Sequence, residues 1–402
     1  MSCSIQQVSQ WIRSCWPICL SLVISTLVCC EVCVALDHVA FERDGGLVHV
    51  SGNILVEAVD GGIILQDRKG KLWPLQPDQI KKRTADDVPF QPMDRKELGR
   101  ALLEELPEGF QIHQTNHYLI CYNTSKPYAE WCGALFERLL RAYTNYWKKR
   151  KLPLSDPKMP LVALIFADKT SYKRYAGQSL GDAANSIVGY YNLQTNRIVM
   201  YDLTGAQDPE QAQHRIRNRA EINRVLSKPQ AGRLIATVIH EATHQIAFNC
   251  GVQKRLADTP LWLNEGMAMY FETPDLRSST GWRGMGSVNR ERLFQFRSYC
   301  KVRPTDSLLT LISDDQRIRG KSTDPRFQGR EAILEAYSEA WCLTYYLLKH
   351  KEKTFVKYLM FLSQKQPGQR DTPEQRIREF ERFFGNLDTI EKDFMRQTTR
   401  MK

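Results

Sequence analysis

The segment from Ala236 to Ala247 constrains this chain most, because it places two histidines four residues apart in largely apolar surroundings. It contains the pattern HExxH, formed by His240, Glu241 and His244. In an α-helix of about 3.6 residues per turn, positions four apart lie on one face. Both imidazoles can therefore bind one metal ion, and Glu241 can reach a water molecule on that ion without being a ligand. A helix with two solvated histidines is the alternative, since so short a pattern recurs by chance.

A catalytic zinc site needs three protein ligands and one open position. The extended pattern HExxHxxGxxH does not supply the third ligand, because Ala247 and Cys250 replace its glycine and its last histidine. The segment Leu261 to Ala268 offers a glutamate instead. Glu265 lies 21 residues after His244, which leaves room for a helix end, a loop and a returning helix. We therefore expect Glu265 to be the third metal ligand.

An HExxH pattern followed by W-L-x-E-G is similar to the signature of the gluzincins, the thermolysin-like branch of the zincin metallopeptidases (peptidase clan MA). The resemblance implies that His240, His244 and Glu265 bind one Zn²⁺ per chain. It also implies that Glu241 activates a zinc-bound water for hydrolysis of peptide bonds. More closely, the chain resembles exported bacterial HExxH proteins of unknown function. Only the two motif-bearing helices carry the specific part of this resemblance.

The residues expected to support the metal ligands differ from those of that family. Thermolysin-like enzymes carry an aspartate four residues after the ligand glutamate, and here that position is Met269. The group that orients the first histidine must come from elsewhere, with Asn264 and Glu272 as candidates. We expect Tyr337 to stabilise the oxyanion, because related peptidases have a tyrosine in a comparable helix; a core aromatic residue is the alternative. His214 is a further candidate ligand, although its polar surroundings favour a solvated side chain.

The patterning along the chain predicts an α+β fold with a small all-β module before a zincin-like domain. Residues 46–80 alternate short apolar runs with turn signals, and residues 81–94 have the polar, proline-containing composition of a linker. Residues 95–390 predict the catalytic domain, with a mixed sheet, an active-site helix and a helical C-terminal half. The strand from Arg197 to Leu203 is expected to form the rim of the cleft and pair with a peptide, unless it is an ordinary buried strand.

Residues 1–35 predict export from the cytoplasm. Arg13 is the only charged residue before Glu31, and the stretch between them is mostly apolar. A basic flank, an apolar core and small residues near Ala35 are typical of a signal peptide, cleaved or retained as an anchor. We therefore expect a periplasmic, cell-surface or secreted protein that contacts a membrane only through this segment.

Composition narrows the classes of partner. Hydrophobic residues make up 42% of the chain and charged residues 25%, as in globular proteins. The formal net charge of +11 favours acidic partners such as a cell-envelope polyanion. A peptide or protein substrate is expected and a nucleic acid is not, because no recognition motif accompanies the charge. Two alternatives to a zinc peptidase stay open: a non-catalytic zincin-like scaffold that binds a cell-envelope polymer or protein, and a zinc amidase acting on non-peptide amides.

Overall fold

The structure is a computed structural model that describes residues 35–204, 218–226, 229–272 and 284–401. The predicted export segment, except for its last residue, and His214 lie outside the described residues. Within those ranges, none of the helices combines the length and the apolar character needed to cross a membrane. The predicted α+β class is confirmed: an N-terminal β sheet precedes a mixed sheet and a helical C-terminal half.

The N-terminal module is a five-stranded antiparallel sheet with the strand order β4-β3-β2-β1-β5. Its strands are β1 (Ala35–Arg43), β2 (Gly46–Glu57), β3 (Ile63–Asp67), β4 (Leu72–Leu75) and β5 (Ile80–Pro89). A small core of its own lies on one face of the sheet, formed by the buried residues Val39, Phe41, Ile63, Leu65 and Leu75. Val39 and Phe41 in β1, and Ile63 and Leu65 in β3, are two residues apart and therefore lie on the same face of the sheet.

The predicted boundaries of this module are too narrow, and the predicted linker 81–94 is wrong over most of its length. β5 occupies Ile80–Pro89 and pairs with β1, from Phe41 opposite Ile80 to Ala35 opposite Pro89. The segment resembles a linker because β5 is an edge strand whose side chains are mostly exposed. Charged residues on an edge strand discourage pairing with other chains, and they also remove the apolar alternation that sequence patterns rely on.

The second sheet has the order β6-β7-β8-β10-β9. Its central strands run parallel, whereas β6 and β9 are antiparallel edge strands. The elements of this half are α1 (Arg95–Glu105), β6 (Gln111–Gln114), β7 (Tyr118–Tyr122), α2 (Lys126–Lys149), β8 (Leu161–Phe166), α3 (Lys169–Leu180), β9 (Gly189–Asn192), β10 (Arg197–Tyr201) and α4 (Arg219–Leu226). The uninterrupted apolar run of β8 is buried along its whole length, as a strand covered on both faces requires.

The strand that forms the edge is not the one we predicted. β10 pairs with β8 on one side and with β9 on the other, and all five of its residues are buried. It is therefore the ordinary buried strand of the two alternatives. On this side the edge strand is β9, which forms a hairpin with β10 and packs against the helix that carries HExxH.

Helices make up the rest of the described chain. They are α5 (Pro229–Asn249), α6 (Leu261–Phe271), α7 (Arg290–Tyr299), α8 (Ser307–Ser313), α9 (Gln316–Arg319), α10 (Gly329–His350), α11 (Glu352–Ser363), α12 (Pro373–Phe384) and α13 (Leu387–Arg400). The most extensive helix pair is α6 with α10. Gly266 allows this close approach, because a β-carbon there would collide with the side chain of Thr344 and the carbonyl of Ala340. The glycine of the W-L-x-E-G segment thus sets the position of α6.

Candidate metal centre

Helix α5 presents the two histidines to the cleft. Its apolar face lies in the core through Val238, Ile239, Ala242 and Ile246, each at most 2% exposed. Burial of this face leaves His240 and His244 on the adjoining face, where the two Nε2 atoms are 3.1 Å apart. Their side chains are only 11% and 12% exposed. The helix therefore holds two imidazole nitrogens close together in a largely dry site.

Glu265 on α6 completes the group. Its Oε2 lies 3.0 Å from Nε2 of His240, and its Oε1 lies 3.7 Å from Nε2 of His244. An ion bound tetrahedrally at about 2.0–2.1 Å separates its ligand atoms by about 3.3–3.4 Å, within the range of the three distances. All the ligand atoms lie within 4.8 Å of one another. The three residues thus form a group that could hold a metal ion.

The charges of this group favour a cation between the three side chains. Burial opposes ionisation of Glu265, but the neighbouring imidazoles of His244 and His240 hold the pKa of its carboxyl well below the usual range. Burial also disfavours a charged His240, yet the hydrogen bonds with Glu265 and Glu272 raise the pKa of its imidazole well above the usual value. A proton is therefore held strongly at the place where a metal cation would bind.

Of the two candidates for orienting His240, Glu272 makes the contact. Its Oε1 lies 2.6 Å from Nδ1 of His240, and its Oε2 accepts a hydrogen bond from Asn289 Nδ2 at 3.3 Å. Asn264 instead accepts a hydrogen bond from Gln253 at 2.5 Å. Met269, at the position of the family aspartate, is fully buried in the core. A carboxylate that orients a ligand histidine is a common support of metal sites.

Glu241 lies against the edge strand of the second sheet. Its Oε2 accepts a hydrogen bond from the backbone N–H of Tyr191 in β9, at 2.8 Å. Burial raises the pKa of the Glu241 carboxyl above its usual value, and the neighbouring imidazoles of His240 and His244 partly offset this rise. The carboxyl group is therefore both fixed in position and a stronger base than an exposed glutamate.

Two residues that the sequence reasoning missed fix α5 against the sheet. Gln245 is fully buried, and its Nε2 donates to the carbonyls of Val162 and Asn196 at 3.0 and 2.8 Å. Asn249 exchanges hydrogen bonds with the side chain of Asn196 at 2.7 and 2.8 Å. Together with Glu241 they stand at four-residue spacing on one stripe of the helix. This four-residue spacing of polar residues is visible in the sequence and could have indicated the face of α5 that bonds to the sheet.

Tyr337 on α10 lies near the carboxylates of the site. The negative charge of Glu265, with burial and the charge of Glu241 behind it, raises the pKa of the Tyr337 phenol well above its usual value. The Arg292 guanidinium, 5.8 Å from the centre of the Tyr337 ring, opposes this rise. The phenol therefore stays protonated and available as a hydrogen-bond donor.

Fold and site together define an α+β protein with a candidate metal centre of two histidines and one glutamate on two consecutive helices. Residues 234–369 match a family described as "Protein of unknown function (DUF1570)". The match contains α5 from Leu234 onward, α6 and Tyr337, but not the N-terminal module. No curated protein matches the chain.

Proposed function

We propose that this protein is an exported zinc-dependent peptidase. The observation that carries the proposal is the convergence of His240, His244 and Glu265, with Glu241 on the same helix as the two histidines. An intact potential base next to an intact ligand group argues against a scaffold that has lost catalysis. The apolar segment at the start of the chain supports export.

The donor set fits zinc. Two imidazole nitrogens and one carboxylate oxygen are the ligands of many catalytic zinc sites, and they leave a fourth position open. A zinc ion held by these residues would polarise a substrate carbonyl and lower the pKa of water in the site. Glu272 would keep the His240 ring oriented for this role.

Glu241 has the geometry and the basicity of a general base. The Tyr191 N–H fixes one of its carboxylate oxygens, which leaves the other to accept a proton from the attacking water. The proton would then pass from the Glu241 carboxyl to the leaving amine. Tyr337, held protonated, would donate a hydrogen bond to the oxyanion of the tetrahedral intermediate.

The edge strand β9 supports a peptide as the substrate. An extended peptide can lie against a sheet edge through backbone hydrogen bonds, which require no particular side chains. β9 is an edge strand among the described strands of the second sheet, and the backbone N–H of its Tyr191 donates to the proposed base. A peptide aligned on β9 would therefore lie beside Glu241. An amidase acting on non-peptide amides would use the same residues without needing this edge.

The test is elemental analysis of the purified protein, combined with the Glu241→Gln variant in a screen of general peptide libraries. We expect about one zinc per chain in both proteins and peptide cleavage in the wild type only. His244→Ala, which removes a proposed ligand, should lose both the metal and the cleavage. Loss of zinc in Glu241→Gln would contradict the role of Glu241. A fully zinc-loaded wild type that cleaves no peptide would contradict the proposed function.

A further inference from the structure

A groove lies between the N-terminal module and the helical part of the chain. Its volume is about 840 Å³, within the range of about 300–1,000 Å³ found for ligand pockets. The module contributes Ile64, Pro74 and Gln76 to the lining. We call this feature the interface groove, since neither part of the structure forms it alone.

The interface groove begins where the candidate metal centre ends. Leu193, which lines it, directly follows β9. Phe248, also in the lining, lies one turn beyond His244 on α5, and its ring stacks on that of Tyr191 with 5.8 Å between the centres. Asn264 in the lining directly precedes the proposed ligand glutamate. A chain that leaves the metal centre along β9 in this direction would enter the interface groove.

The module is held in place, so the groove has two fixed sides. The backbone N–H of Leu72 in β4 donates to the carbonyl of Gln194 at 2.8 Å. Arg255 donates to the carbonyl of Gly70 at 3.0 Å. Glu105 accepts hydrogen bonds from Lys69 at 2.5 Å and from Arg197 at 2.7 Å, which joins the module to α1 and β10.

The acidic residues in the floor of the groove form ion pairs with cations of the chain. Arg376 pairs with Asp258 and with Asp315, each at 2.7 Å, and its side chain is only 7% exposed. Asp371 pairs with Lys365. Arg319 also pairs with Asp315, at 3.5 Å, so each of these acidic groups has a cationic partner. Their repulsion of an acidic ligand is therefore weaker than that of free carboxylates.

Two basic side chains at the rim form no ion pair with the described residues. Lys321 and Arg370 line the groove and are exposed, and neither forms an ion pair with any residue that the structure describes. The acidic rim residue Asp314 accepts a hydrogen bond from the backbone of Gln316. Apolar side chains, among them Ile64, lie further in. Two unpaired cations against the one carboxylate of Asp314 leave a net positive charge at the rim.

We propose that the interface groove binds the part of an extended polypeptide substrate that continues beyond the scissile bond, with acidic side chains of the substrate at Lys321 and Arg370. The inference rests on the proposed function, and it gives the N-terminal module a role: it forms one side of the substrate site. Preference for such substrates would then depend on the module as well as on the metal centre.

The experiment measures peptide binding by fluorescence anisotropy in the Glu241→Gln background, where no turnover interferes. Two labelled peptides share a neutral core and differ in an acidic or a neutral extension. We expect the combined change Lys321→Glu and Arg370→Glu to weaken binding of the acidic peptide about fivefold or more, and to leave the neutral peptide unchanged. The matched control is Lys353→Glu with Lys357→Glu, the same change of charge on exposed residues of α11.

Equal weakening by the control variant would overturn the proposal, because the effect would then come from net charge alone. The proposal would also be overturned if binding of inorganic polyphosphate depended on Lys321 and Arg370 while binding of the acidic peptide did not. That result would indicate a polyanion site. The readouts separate the two proposals. If the acidic peptide binds through these residues but the wild type does not cleave it, only the proposed peptidase function is contradicted. If the wild type cleaves peptides and neither Lys321 nor Arg370 affects this, only the proposed role of the interface groove is contradicted.

Discussion

Glu272 Oε1 lies 2.6 Å from Nδ1 of His240, and this contact orients the imidazole whose Nε2 faces Glu265. The carboxylate stands seven residues after Glu265, which is two helical turns and therefore the same face. The gluzincin pattern places its orienting carboxylate one turn after the ligand glutamate. Here Met269 occupies that position, and the same contact to histidine is reached one turn later.

Removal of this support should weaken the metal site without removing it. We expect Glu272→Ala to lower zinc affinity about 10–100-fold, because an unsupported imidazole loses its orientation. Competition with a chromogenic chelator measures the affinity. Asn264→Ala is the control, since Asn264 bonds to Gln253 and not to a histidine. Unchanged affinity in Glu272→Ala would show that another group orients His240.

Loss of the Tyr337 hydroxyl should affect turnover and not the metal. We expect Tyr337→Phe to lower kcat about 100–1,000-fold, as removal of an oxyanion donor does, with the zinc content and KM retained. Steady-state kinetics with a cleaved peptide measures this. Tyr345→Phe on the same helix is the control, because its ring packs against Trp341 and Tyr270. A Tyr337→Phe enzyme with wild-type kcat would exclude the tyrosine from the reaction.

A side chain at position 266 should force α6 away from α10. We expect Gly266→Ala to lower the free energy of unfolding by about 1–3 kcal/mol, since an added methyl group overpacks the contact with Thr344 and Ala340. Chemical denaturation measures the loss. Gly177→Ala in α3 is the control, because open space surrounds that helical glycine. The control should be neutral or slightly stabilising; equal losses in both variants would contradict the packing argument.

Gln245 should contribute to the stability of the fold through its buried hydrogen bonds. In Gln245→Ala two buried carbonyl oxygens, those of Val162 and Asn196, lose their donor. We expect the free energy of unfolding to fall by about 1–3 kcal/mol. Denaturant unfolding is again the measurement, and Arg233→Ala on the exposed side of α5 is the control. A stability equal to that of the wild type would mean that other contacts fix the position of α5 against the sheet.

The docking of the module should weaken in acid. Burial raises the pKa of Glu105, but the charges of Arg197 and Lys69 outweigh burial and hold the pKa below the ordinary 4.5. Because the pKa is lower in the folded state, the interaction stabilises the fold above the unfolded value and is lost as the pH falls through the folded value.

The measurement for this prediction is denaturant unfolding at a series of pH values from neutral to about 3. We expect Glu105→Gln to be less stable than wild type at neutral pH, and the two proteins to converge in acid. Glu104→Gln, an exposed neighbour, should follow the wild type throughout. Parallel curves for wild type and Glu105→Gln would show that the carboxylate does not contribute in this way.

The ligand group was predictable from the sequence because its geometry is mostly local. The spacing of His240 and His244 defines one helical face wherever that helix lies. Glu265 could be chosen because the W-L-x-E-G segment stands at a distance that allows a returning helix. The helical C-terminal half was predictable for the same reason, since helical patterns repeat within one element.

The contacts of the site with other elements were decided by tertiary structure. Which strand forms the sheet edge depends on strand order, so the position of β9 at the edge was not predictable from local patterns. The polar strand β5 is held by its pairing with β1, which no local pattern reveals. The interface groove likewise exists only because the module is fixed against the helical part. Residues within one helix determine the spacing of His240 and His244 by themselves, whereas strand pairing and docking depend on residues far apart in the chain.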